Sequence, residues 1–172
     1  MKNMRIKGMM LFLMTALLFF PVKAEAVGIL DTTKEVTLTI SCKDGDRGIA
    51  NAGFEIYQIG GITEAAEIIP NAAFDGRLPK LRELSGSEWR DLTQELCQLT
   101  QGENLAPVDS GYTDENGMLR FPQDGKKLEQ GLYLIVGGSA RQNGYSYTLS
   151  SCLVFLPSED AERKNWNYEV IV

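Results

Sequence analysis

The feature that most constrains this chain is the segment from Gly111 to Val136, GYTDENGMLRFPQDGKKLEQGLYLIV. Thr113-Asp114-Glu115-Asn116-Gly117 carries the residues of a tight turn, and Met118 to Phe121 behind it has the length and character of a short strand. A polar connection from Pro122 to Gln130 leads to Gly131, which opens the apolar run Leu132 to Val136. Alternation places Leu132, Leu134 and Val136 on one face of that run. Turn, strand, polar connection and strand in this order predict an antiparallel β-sandwich and point away from catalysis.

Other segments extend the pattern. Val36, Leu38, Ile40 and Cys42 alternate with Thr37, Thr39 and Ser41, so 35–42 reads as a half-buried strand with Cys42 as a small apolar residue on its inner face. The turn 43–48 then leads to a second strand from Phe54 to Ile59, expected as an antiparallel neighbour of the first. From Gly60 the period changes. Glu64 to Ile69 reads as one or two helical turns before Pro70. Ser85 and Glu88 have the spacing of a capping box, and Trp89, Leu92, Leu96 and Leu99 form one apolar stripe expected to face the sandwich. Tyr145 to Thr148 and Cys152 to Leu156 read as one long strand with a kink near Ser150-Ser151. In the last strand Trp166, Tyr168, Val170 and Val172 share a face and close the core.

The N-terminal 26 residues have the three parts of a secretory signal peptide: Lys2, Arg5 and Lys7, an apolar stretch from Met9 to Phe20, and Ala24-Glu25-Ala26. That stretch is shorter than the roughly 20 apolar residues a bilayer span requires, so no stable membrane span is expected after cleavage. The whole chain carries a net charge of −6, and loss of Lys2, Arg5, Lys7, Lys23 and Glu25 makes it more acidic still. With no basic run, nucleic acid is not an expected partner. Residues 27–172 suffice for a single β-sandwich domain with an insertion at about 60–110.

Catalysis has little to stand on. The chain has 0 histidines, which removes the commonest acid-base group and metal ligand, and Asp114-Glu115 and Glu159-Asp160 sit in turns where carboxylates are ordinarily solvated. No catalytic, cofactor-binding or metal-ligating residue is nominated, and no cofactor is expected. The 3 cysteines, Cys42, Cys97 and Cys152, leave at least one unpaired within the chain. A Cys42–Cys152 disulfide is one arrangement, since both lie on predicted strands; sequence leaves the pairing open.

The order TDENG, short strand, polar connection and GLYLIV, with VTLTISCKDGDRGIANAGFEIYQI upstream and NWNYEVIV at the end, resembles the prealbumin-like, collagen-adhesin B-type (Cna-B) domains of Gram-positive surface proteins. More narrowly it resembles the N-terminal domain of a sortase-assembled pilin. The resemblance spans about Lys34 to Val172, with Gly60 to Ser110 matching only as a helical insertion between the second and third strands. It implies a mainly β, prealbumin-like sandwich and a non-catalytic structural or adhesive module of a fimbrium, secreted and displayed on the cell wall. The implied partners are other pilin subunits or cell-wall proteins, joined through sortase if the chain is part of a longer pilin.

Many domains of this family form an isopeptide bond between a lysine on the first strand and an asparagine on the last, assisted by a buried acid. Here Gly137-Gly138 stand where the acid is expected, and no such bond is expected; the nearest candidates are Lys43 and Asn167. The segment after NYEVIV that carries the polymerising lysine is likewise not seen, which implies either part of a longer pilin or a secreted relative that is not covalently polymerised. The other functional class is a secreted module that binds a carbohydrate or a host matrix protein through aromatic residues. Trp89, Tyr112, Tyr145 and Tyr147 are the candidate interaction residues.

Overall fold

A computed structural model describes residues 28–123, 125–160 and 162–172; the expected signal peptide lies outside the described residues. Alternation in the first strand, β1 (Thr37–Ser41), buries Leu38 and Ile40. β1 runs antiparallel to β7 (Met118–Phe121), with Leu38 opposite Phe121 and Ile40 opposite Leu119. On its other edge it pairs in parallel with β14 (Glu169–Ile171), where Val170 stands opposite Leu38. These strands form a three-stranded sheet in the order β14-β1-β7.

The second sheet is built on β4 (Gly53–Ile62) and β8 (Gly131–Gly137), with β11 (Cys152–Leu156) beyond β8. Two short strands share the outer edge of β4: β6 (Asp109–Tyr112) pairs with Gly53 to Ile56, and β5 (Ile68–Pro70) with Gly60 to Ile62. Three two-stranded ribbons decorate the sheets: β2 (Lys43–Asp44) with β3 (Arg47–Gly48), β9 (Ser139–Gln142) with β10 (Tyr145–Thr148), and β12 (Ser158–Asp160) with β13 (Asn165–Asn167).

β8 explains the layering. A strand covered on one face alternates, whereas Leu132 to Ile135 are all buried, as expected for a strand covered on both faces. Tyr133 and Ile135 join Leu38, Phe54, Ile56, Phe121, Leu156 and Val170 in the core between the sheets. Leu132 and Leu134 point the other way. With Tyr57, Ile59 and Phe74 they pack beneath Leu92 and Leu96 of α1 (Gly86–Gly102), so the chain is a sandwich with a helical third layer. Each fully buried side chain of this size contributes about 1.5–3 kcal/mol.

Glycine is required where backbones meet. A Cβ on Gly131 would lie 2.1 Å from the Gly60 carbonyl oxygen, beside the bulge in β4 between Gln58 and Gly60. Gly117 closes the TDENG turn at φ +76°, and its Cβ would lie 2.1 Å from the Cys42 carbonyl oxygen. In that turn the Asp114 carboxylate accepts from the Asn116 and Met118 backbone N–H groups, both at 2.8 Å.

Several sequence expectations need correction. The first two sandwich strands, β1 and β4, are not neighbours; they lie in different sheets and face each other across the core. Residues 64–67 form a turn, with Ala66 at φ 57°, and Ile68 to Pro70 pair with β4 instead of continuing a helix. The supposed long strand from Tyr145 is two strands, because β10 folds back on β9 while β11 pairs with β8. The terminal strand is divided into β13 and β14, so Val170 is buried while Val172 is exposed.

Candidate interaction surface

The helical layer displays the first candidate, Trp89. Ser85 caps α1 as the sequence suggests: the Glu88 N–H donates to Ser85 Oγ at 3.5 Å, and the Ser85 N–H donates to the Glu88 carboxylate at 2.8 Å. The Ser85 hydroxyl, donating to Glu88 Oε2 at 2.6 Å, and then the Ser85 N–H hold the Glu88 carboxyl below its ordinary value. Leu92, Leu96 and Thr100 are the buried face of the helix. Trp89, half-buried at the edge of that face, meets Phe155 edge to face with ring centroids 6.1 Å apart. Its ring therefore both packs and lines the surface. It borders a cleft of about 720 Å³ between the flank of α1 and the start of β11, lined also by Arg90, Thr93, Cys97, Ser151 and Cys152.

The three tyrosines do not converge. Tyr145 and Tyr147 on β10 line a shallow depression with Asp44, Asp46 and Arg47, and the Tyr147 hydroxyl donates to Asp44 Oδ2 at 3.2 Å. The β9–β10 ribbon is fixed against the sandwich by Gln142, whose side chain accepts from the Ala50 N–H at 2.8 Å and donates to the Gly48 carbonyl at 3.0 Å. Tyr145 is 67% exposed, whereas Tyr147 is half-buried. Tyr112, 73% exposed, lies in a different depression at the β4–β6 edge, with its ring over Gly53.

Lys43 and Asn167 lie on the β2–β3 and β12–β13 ribbons, and both are exposed. The Asn167 side-chain oxygen accepts from the Glu169 N–H at 3.1 Å. Between β1 and β14 the inward positions belong to Leu38 and Val170. Gly137 is crowded by Leu149, whose Cβ a side chain there would approach to 2.6 Å, and the Gly138 N–H donates to the Gly53 carbonyl. At Gly137, one of the two positions where the family pattern places an acid, any side chain would run into Leu149.

One polar site escaped the sequence reading. Asp109, at the start of β6, is 1% exposed and accepts from the Ser110 and Gln123 N–H groups at 2.9 and 2.7 Å and from the Lys126 ammonium. Burial pushes its carboxyl up, but the combined hydrogen bonds and the Lys126 charge outweigh burial and hold it below the ordinary value. Its partners lie 14 and 17 residues downstream, so no local spacing announces it. The cluster ties β6 to the connection between β7 and β8 and encloses the Asp109 side chain, which is 0% exposed. That arrangement is structural. Tyr57, beside the helical layer, is pushed up to about 12 by burial and by its hydrogen bond to Glu55. Among the described residues no group of three or more His, Cys, Asp or Glu side chains is placed to hold a metal ion. Nor, among these residues, is any helix long and apolar enough to cross a membrane.

No family model matches the chain, and no curated protein matches it. Solved structures do. The full-length major pilin SpaD from Corynebacterium diphtheriae is 17% identical over 83% of this chain and 30% of its own, with a TM-score of 0.50. The C. diphtheriae major pilin SpaA is 18% identical over 80% of this chain and 29% of its own, with a TM-score of 0.41. The shaft pilin SpaA from Lactobacillus rhamnosus GG is 17% identical over 80% of this chain and 48% of its own, also at 0.41. This chain therefore spans less than a third of the length of the SpaD chain it resembles. At such identities the likeness establishes architecture: the chain has the mainly β sandwich fold found in part of a Gram-positive major pilin.

Proposed function

We propose that the chain is a non-catalytic module of a cell-surface pilus subunit, contributing a rigid sandwich and a surface for contact with neighbouring subunits. The observation that carries this reading is the superposition on part of the SpaD pilin together with the two-sided burial of β8, which gives one continuous scaffold from the β1 sheet to α1. The cleft between α1 and β11, bordered by Trp89, is the surface assigned to that contact, because the helical layer is an addition to the sandwich and its flank is only partly covered. Export and display on a Gram-positive cell wall belong to the same proposal, as does organisation of 27–172 as one domain.

The test is an immunoblot of cell-wall extracts from the source cells, using antibody raised against this chain, before and after loss of sortase. A sortase-dependent ladder of high-mass species is expected. A single band at the mass of the free chain in both cases overturns the pilus assignment. The second reading, a secreted module for a carbohydrate or host protein, draws on the exposed Tyr145 beside Tyr147 and the Asp44–Arg47 turn. It predicts glycan-array or matrix-protein binding that is lost in Tyr145→Ala; binding unchanged by that substitution removes the tyrosines from the site.

A further inference from the structure

Two of the three cysteines line the same cleft. Cys97, half-buried on the flank of α1, packs against the cluster under the helix, and Cys152 is the first residue of β11, beside Leu153 of that cluster. Cα atoms of α1 and β11 approach within 8 Å. Cys42 belongs elsewhere: it packs against the core between the sheets, and its backbone is engaged by Gly117 and Ile49. All three are reduced in the structure.

We propose that Cys97 and Cys152 form a redox-active pair whose disulfide fastens the helical layer to the edge of the sandwich, leaving Cys42 as the free thiol. The pairing follows from placement. A disulfide needs Cα atoms about 4.4–6.8 Å apart, so the partners must lie on elements already packed together; α1 and β11 are so packed, and both cysteines line the open cleft between them, which also admits an oxidant. The pair lies in the cleft assigned above to subunit contact, away from the β10 tyrosines, but the pairing itself does not depend on the pilus assignment.

The chemistry balances with an external disulfide as oxidant. One cysteine thiolate attacks a sulfur of oxidised glutathione, forming a mixed disulfide and releasing one glutathione thiolate; the second cysteine then attacks the protein sulfur and releases the other. Two protein thiols are oxidised, one external disulfide is reduced to two thiols, and two protons pass from the cysteines to the glutathiones. Although Cys152 is exposed, desolvation by the cleft walls, with the neighbouring Cys97 adding to it, raises its thiol above the ordinary value, so attack by Cys152 quickens as pH rises.

The experiment treats the reduced, folded chain with oxidised glutathione at pH 8, followed by intact-mass measurement and peptide mapping without reduction. The expected product is ~2 Da lighter than the reduced chain, links the Cys97 and Cys152 peptides and retains one alkylatable thiol, at Cys42. Reduction of that product is expected to lower its melting temperature by roughly 10 °C. Cys97→Ser is expected to stop at a glutathione adduct on Cys152. Three free thiols after oxidation, a linkage that includes Cys42, or a glutathione adduct persisting on the wild-type chain each overturns the proposal.

Discussion

The two faces of the second sheet are covered by different means. Between the sheets, side chains from β1, β4, β7, β8, β9, β11 and β14 interlock, and Leu38, Ile56, Phe121 and Leu156 are each 0% exposed. On the outer face one helix does most of the covering, and many residues of that layer, among them Trp89 and Leu99 of the helix and Leu105, Leu153 and Phe155 beside it, remain only partly buried. The first interface is closed on itself. The second is a thin layer with a wet flank. Since free energy from burial follows the area removed from water, the sandwich should carry the global stability and the helical layer should open first.

Substitution is the bluntest way to break this contrast. Phe121→Ala in the inter-sheet core is expected to cost about 4 kcal/mol, and Leu96→Ala under the helix about 2–3 kcal/mol because the thin layer can settle into the space. Denaturant melts of the two variants measure the difference. A cost for Leu96→Ala equal to or above that for Phe121→Ala would contradict the ordering.

A smaller effect should follow from Asp109, which bridges the sheet edge to the β7–β8 connection. Its carboxyl is held below the ordinary value of 3.8 in the folded chain, so the ionised form contributes stability that is fully present above the unfolded value and is lost as pH falls through the lower folded one. Asp109→Asn should cost about 1–3 kcal/mol at pH 7, and the gap between variant and wild type should narrow as pH falls below 3.8. A gap that stays constant from pH 7 to pH 2 removes the charge from the explanation.

How much of this was visible in the sequence depended on whether the cause was local. Ser85 and Glu88 announce the helix start because a cap acts within one turn. The TDENG turn and the strand from Met118 to Phe121 were legible for the same reason, since Asp114 bonds to groups only two and four residues away. β5 was misread because Glu64 to Glu67 are good helix formers, and only the edge of β4 makes Ile68 to Pro70 a strand. The β9–β10 hairpin did carry a signal: Asn143 and Gly144, at φ 52° and 82°, are the two-residue turn that favours tight hairpins. Asp109 and the shared cleft of Cys97 and Cys152 had no local mark, because each is made by segments far apart in the chain.

The cap supplies the smallest test of the comparison. Ser85→Ala removes one hydrogen-bond acceptor at the helix start and is expected to cost about 1 kcal/mol, seen as earlier opening of α1 with little change in the sandwich. An equal loss of protection in both layers would mean that they unfold as one unit.

Amide hydrogen exchange on the reduced chain, with Cys97 and Cys152 unlinked, tests the central contrast most directly. The contrast between the layers requires that β1, β4 and β8 exchange only through global unfolding, while α1 exchanges through a lower-energy opening, about 10-fold faster or more. Equal protection in α1 and β8, with the same dependence on denaturant, would contradict it.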